Sequence, residues 1–332
     1  MMKKFLLKLF LFLALLVDVL TLFEIGFRQK PTIFKTKYEG LSQNASNVEV
    51  LILGHSHAME GADPREFSQR TYNMAVGLQN VYYDNYILSK FIARMDSLKF
   101  VIISSSFFHF YNTLPDLEDI NGEDQFNLAK YHMYWGLDSL KDKRISNIDP
   151  QYNIEITSNP TASYIRMFKY YLTGQPWRPE VRKEQETLLG LGYLEGTDIV
   201  RNEDFLDADG RMMVKAHDPH YKAVPKFELT DNYYLYEDIV KRCVEKGVEV
   251  AIVLFPTWHT YYEGVDSFQL DGTRRMMRML EDEYPNCHAW DHFDDQRFDV
   301  GDFQDATHLN RYGAIKMGRI LDEEVKKVLS QQ

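Results

Sequence analysis

Cysteine is nearly absent from this chain: Cys243 and Cys287 are the two in 332 residues. That excludes a disulfide-stapled scaffold and leaves either one bond, if the compartment is oxidising, or two thiols. Cys243 shares an apolar stripe with Leu235, Ile239 and Val240, so a buried free thiol is the expected state. Positive charge is also short, with 38 Lys and Arg against 49 Asp and Glu and a net charge of −11. Nucleic acid is therefore not an expected partner, because phosphate binding needs a clustered basic surface. Internal repeats and low-complexity tracts are missing too. His55 and His57 could face one way as metal ligands, but no third ligand accompanies them, so neither a metal nor a cofactor is expected.

Long apolar runs are missing except for one, Phe5 to Phe27, interrupted by Lys8, Asp18 and Glu24. About 20 apolar residues suffice for a membrane-spanning helix. Lys3, Lys4 and Lys8 precede the apolar centre, and the positive-inside bias then leaves the rest of the chain outside the cytoplasm. The expectation is an uncleaved anchor over residues 1–30. A cleaved signal sequence is the rival, although no small-x-small site follows Leu16; a buried helix is the third reading. Asp18 inside the run would be expensive facing lipid and suggests a partner helix or a water-facing position.

The chain beyond this run is long enough for one large domain, expected over residues 45–330. Strands are read at Val48–Leu53, Phe100–Ser105 and Val248–Phe255, with a last short one near His288-Ala289-Trp290. Helices are read at Asp84–Met95, Tyr233–Glu245, Gly272–Glu283 and Ala314–Leu329. Strand and helix in alternation predict an α/β fold, a doubly wound parallel sheet flanked by helices in three layers. The near-continuous apolar strands agree, since such runs are buried on both faces. Residues 112–225 lose the alternation and read as an insertion or cap carrying substrate choice. Within it, Trp177, Tyr170 and Tyr171 read as core aromatics sooner than as a sugar groove, and Asp207-Ala208-Asp209-Gly210 as a turn sooner than as half a calcium loop.

Gly54-His55-Ser56-His57 follows the first strand directly, and Asp305-x-x-His308 stands near the other end. A serine hydroxyl needs an imidazole to take its proton, and the imidazole needs a carboxylate to fix its tautomer. Ser56, His308 and Asp305 supply those parts, with His55 and His57 placed at the site mouth. The plain alternative for Ser56 is the N-cap of a following helix, and for His308 a surface histidine.

At these residues the chain resembles the SGNH (GDSL-like) hydrolase family. Ser56 matches the nucleophile of the first block, Gly77 in Tyr72-Asn73-Met74-Ala75-Val76-Gly77 the second-block glycine, and Asp305 with His308 the last block. The chain departs from the pattern at His55, where the family usually has Asp, and after Phe100–Ser106, where Ser104-Ser105-Ser106-Phe107 replaces Gly-x-Asn-Asp. The resemblance implies an acyl-serine esterase or acyltransferase with an oxyanion hole from the N–H groups of Ser56 and Gly77. The third donor is left to Asn80 or Asn112. It also implies an inactive glycan-binding or scaffold protein as the alternative, given the divergent blocks. Membrane-anchored relatives that serve teichoic acid D-alanylation and alginate acetylation are similar as well. They imply a domain outside the bacterial cytoplasmic membrane, an acylated glycan or glycan acceptor as substrate, and an integral membrane acyltransferase as partner.

Overall fold

The computed structural model describes residues 2–29, 32–111, 123–137, 148–154, 187–217 and 227–331. Trp177, Tyr170, Tyr171 and Asn112 lie outside them. The chain divides into two compact units, one of Met1–Tyr38 with Pro115–Gln185, the other of Glu39–Leu114 with Glu186–Gln332.

In the first unit the helix Met2–Gln29 carries the apolar run. Its segment Met2–Gly26 is long and apolar enough to cross a membrane, with a mean hydropathy of 2.5 and 0% of that window buried. Glu24 and Arg28 pair one turn apart at 2.6 Å near its end. The helix Glu123–Trp135 belongs to the same unit. The Trp135 indole donates to the Phe34 carbonyl at 2.7 Å, and the Phe34 ring meets Tyr131 edge-on at 5.1 Å.

The second unit is a three-layer α/β structure around a five-stranded parallel sheet, β1 Val50–Leu53, β2 Thr71–Asn73, β3 Phe100–Ser105, β4 Glu249–Leu254 and β5 Cys287–Asp291. Their spatial order is β2-β1-β3-β4-β5. β1 pairs Val50 with Phe100 and Leu53 with Ile103, and β3 pairs Phe100 with Glu249 and Ser105 with Leu254. All four residues of β1 and all six of β3 are buried, which is why these strands read as unbroken apolar runs. Edge strand β5 is mostly half-buried and correspondingly mixed in sequence. β2 is a strand of three residues, too short for a period-2 pattern to declare.

The helices fit their sequence signals. Asp231–Lys246 starts at the N-cap Thr230, whose hydroxyl accepts from Tyr233 N–H, and stops at Gly247 with φ +73°. Its inward stripe holds Tyr236, Ile239, Val240 and Cys243, all buried. Ser267–Glu283 begins at the N-cap Asp266, earlier than the Gly272 expected from periodicity, because an aspartate carboxylate satisfies Gln269 N–H there. Arg311–Leu329 is capped by Asn310 and packs on the short helix Ser56–Gly61. Asp207-Ala208-Asp209-Gly210 is not a turn: it lies inside the helix Glu203–His217. Both thiols are free and buried, and burial pushes the Cys287 thiol up to about 12.

β1 lies between β2 and β3, so the chain steps first to β2 on one side and then to β3 on the other. The crevice beyond the C-terminal ends of β1 and β3 is the place such sheets offer a ligand.

Candidate active site

Ser56 sits at that crevice, the first residue of the helix Ser56–Gly61 immediately after β1. The N-cap is His55, not Ser56: a His55 ring nitrogen accepts from His57 N–H at 3.5 Å. The serine hydroxyl is thereby left for another partner, and it lies 2.9 Å from Nε2 of His308. Nδ1 of His308 stands 3.0 and 3.1 Å from the two Asp305 carboxylate oxygens. A carboxylate only accepts, so Nδ1 carries the proton and Nε2 is free to accept from Ser56. The three residues are partly exposed, so a substrate can reach them.

The Asp305–His308 loop is built locally. Thr307 N–H and His308 N–H both donate to Asp305 Oδ1 at 2.9 Å, and the Thr307 hydroxyl adds a third bond at 2.9 Å. Asn310 anchors the loop by donating to the carbonyls of Ile199 and Gly301 while capping the final helix. Burial pushes the Asp305 carboxyl up, but the His308 hydrogen bond and charge and the Thr307 donors outweigh it and hold the group at about 2. Burial likewise pushes His308 down, and the bond to Asp305 with the carboxylates of Asp305, Glu60 and Asp209 outweighs it, so its pKa is raised.

Asp209 and Glu60 carry no signal in the sequence. Asp209 accepts from Ala306 N–H at 2.9 Å, while the Ala306 carbonyl accepts from Trp258 N–H at 2.8 Å. Asp207, on the same helix, accepts from the Trp258 indole at 2.8 Å. The helix Glu203–His217 thus fastens the His308 loop to the loop after β4. Glu60 stands one helical turn beyond Ser56, bonds the Gln304 side chain, and is pushed up in pKa by burial first, with the Asp305 charge adding to the rise. The spacing of an aspartate inside an amphipathic helix gives no hint of such a contact.

The nucleophile loop is made differently. Gly54 has φ +117°, and a Cβ there would come within 2.1 Å of Ser104 Oγ, so glycine is required. His55 N–H donates to Ser104 Oγ at 3.0 Å, which gives the serine run at the end of β3 a role in holding this loop. Gly77 faces open space, with nothing within 4 Å of where a Cβ would stand. Ser56 N–H, at the first helical position, has no intrahelical acceptor. Asn80 N-caps the helix Val81–Phe91, its side-chain oxygen accepting from Tyr82 N–H at 3.0 Å, which fixes the orientation of its amide.

His57 borders the site, its ring edge-on to His308 at 5.3 Å. His55 is not at an exposed mouth: it is 4% exposed, behind His57 and edge-on to His109 at 4.1 Å. Burial, then the neighbouring His109, pushes His55 well below the usual histidine range, and burial, then His57, brings His109 down to about 3. These rings are neutral polar packing. Among the described residues no group of three or more His, Cys, Asp or Glu is arranged to hold a metal ion.

No family model matches the chain, and no curated protein matches it. Among solved structures, a crystal structure described as a "putative acylhydrolase" from Bacteroides fragilis is similar over 91% of this chain and 100% of that one, at 10% identity and a TM-score of 0.40. A likeness that remote carries no argument about chemistry, which rests on the side chains themselves.

Proposed function

We propose that the protein is a serine-dependent O-acyl esterase or O-acyltransferase. In this reading it is anchored by its N-terminal helix and acts outside the bacterial cytoplasm on an acylated envelope carbohydrate through an acyl-Ser56 intermediate. The observation that carries the proposal is the continuous Ser56–His308–Asp305 contact, 2.9 Å on one side of the imidazole and 3.0 Å on the other. What supports the substrate class in this reading is the resemblance of the SGNH-like blocks, and what supports the compartment is the apolar helix Met2–Gly26 with its preceding lysines.

In the first half-reaction Ser56 Oγ attacks the acyl carbonyl carbon as its proton passes to Nε2 of His308. The Asp305 carboxylate stabilises the imidazolium. Negative charge gathers on the former carbonyl oxygen, for which the N–H groups of Ser56 and Gly77 are the donors, with Asn80 the candidate third. The carbon–oxygen bond to the sugar breaks, His308 returns its proton to the departing oxygen, and the acyl group stays on Ser56. Water or a second sugar hydroxyl then attacks the ester carbonyl, giving its proton to His308, and the collapse restores Ser56. Water makes an esterase and a sugar makes a transferase, which an integral membrane acyltransferase would supply with donor.

The test uses the full chain in a mild detergent. Labelling by a fluorophosphonate and hydrolysis of p-nitrophenyl acetate are expected for wild type. Ser56→Ala should abolish labelling, and Ser56→Ala and His308→Ala should each lower kcat by a factor on the order of 10⁴ or more. A folded wild type that neither labels nor hydrolyses the ester, yet binds glycan, would favour the non-catalytic alternative.

A further inference from the structure

The geometry points to Asp84 as a positioning residue for the proposed reaction, one carboxylate that ties the Ser56 loop to the Gly77 loop and so sets the two oxyanion donors against each other. This role rests on the acyl-serine reading of the site.

Asp84 stands in the first turn of the helix Val81–Phe91, where the helix dipole favours a carboxylate, and is 1% exposed. Its Oδ1 accepts from Gly54 N–H at 2.8 Å and from the Gln79 side-chain amide at 2.6 Å. Gly54 is two residues before Ser56, and Gln79 two residues after Gly77. A single oxygen therefore holds both loops, and Gly54 returns the link by accepting Val76 N–H at 3.1 Å. The Gly77 loop needs such a hold. Gln79 N–H closes a turn onto the Val76 carbonyl at 3.0 Å with Leu78 at φ +61°, a left-handed conformation that is strained for a non-glycine residue. Leu78 is also 55% exposed, so packing on its own side chain does not supply the compensation. Strain of this kind persists where surrounding contacts over-determine it.

Both bonds end on Oδ1, so a proton on Oδ2 leaves the tie intact. Burial pushes the Asp84 carboxyl up to about 7, against the lowering effect of Gln79 and Gly54. The titratable group facing it is Tyr236 of the helix Asp231–Lys246, which burial pushes up and which stays neutral. The nearby Asp238–Arg242 pair meets Asn85 instead. Either protonation state keeps the tie, so the acid limb of the rate follows His308.

Kinetics of p-nitrophenyl acetate hydrolysis by the full chain test this. Asp84→Ala, which removes the acceptor, is expected to lower kcat per fluorophosphonate-labelled site by about tenfold to a hundredfold, short of the ~10²- to 10³-fold loss of a whole oxyanion donor, with KM little changed. Asp84→Asn, whose amide oxygen accepts the same two bonds, should stay within a few-fold of wild type. A merely structural role would lower the melting point of Asp84→Ala and leave kcat per labelled site at the wild-type value. Gln79→Met removes the other side-chain bond and should lower kcat by several-fold. A working wild type with an Asp84→Ala variant of equal kcat per labelled site, or an Asp84→Asn variant as slow as Asp84→Ala, overturns this inference and leaves the esterase reading standing. A wild type without labelling or turnover overturns both.

Discussion

Two loops meet at the 2.9 Å contact between Ser56 and His308, and they are held by opposite means. The nucleophile loop is clamped from beneath, its backbone N–H groups bonded to the buried Asp84 and Ser104 side chains at a glycine that tolerates no Cβ. The His308 loop is clamped from the side by charge: Asp305 within it, Asp209 from a separate helix, and Glu60 from the helix that Ser56 begins. A desolvated clamp resists displacement but penalises any change of shape or charge. A half-exposed, charge-rich clamp tolerates substitution and instead sets the pKa of the base. Defects on the nucleophile side should thus appear as lost rate and stability, and defects in the outer carboxylates of the base side, Asp209 and Glu60, as displaced pH profiles.

The largest break in this comparison is Asp305→Asn, which keeps the volume and leaves His308 without its tautomer-fixing carboxylate. A fall in kcat of about 10⁴-fold is expected in ester hydrolysis. Fluorophosphonate labelling should slow in parallel. Next comes Gly54→Ala, which introduces a Cβ 2.1 Å from Ser104 Oγ at φ +117°. It is expected to destabilise the chain by about 1–3 kcal/mol, read as a lowered melting temperature, and to slow labelling of Ser56.

The smallest change sharpens the contrast. In Asp209→Asn the amide oxygen still accepts from Ala306 N–H, but one of the charges that raises His308 is gone. A lower imidazole pKa makes the neutral base available at lower pH, so the acid limb of kcat/KM should move down. The alkaline plateau should stay within a few-fold of wild type. A limb that stays in place would show that Asp209 only holds the loop.

The sheet was legible wherever burial on both faces wrote a continuous apolar run, as in Phe100–Ser105 and in the inner part of Val248–Phe255. It was not legible at Thr71–Asn73, where three residues carry no period. Asp207-Ala208-Asp209-Gly210 misled because Asp and Gly are turn formers in isolation. Here the helix is retained by tertiary bonds from both aspartates, and Gly210 lies so close to Thr260 that a Cβ would meet its hydroxyl at 2.2 Å. Propensity is a local preference, and packing overrode it.

By itself the sequence determined the alternation of strand and helix, the apolar N-terminal helix, and the Ser, Asp and His residue types that a nucleophilic triad requires. These come from periodicity and side-chain chemistry, which are local. Tertiary structure alone decided that His308 Nε2 reaches Ser56, that His55 takes the cap and frees the serine hydroxyl, and that Asp84 and Asp209 become fasteners for the two loops. Those outcomes depend on distances between residues far apart in the chain. Only the parallel sheet and the helices on it fix those distances.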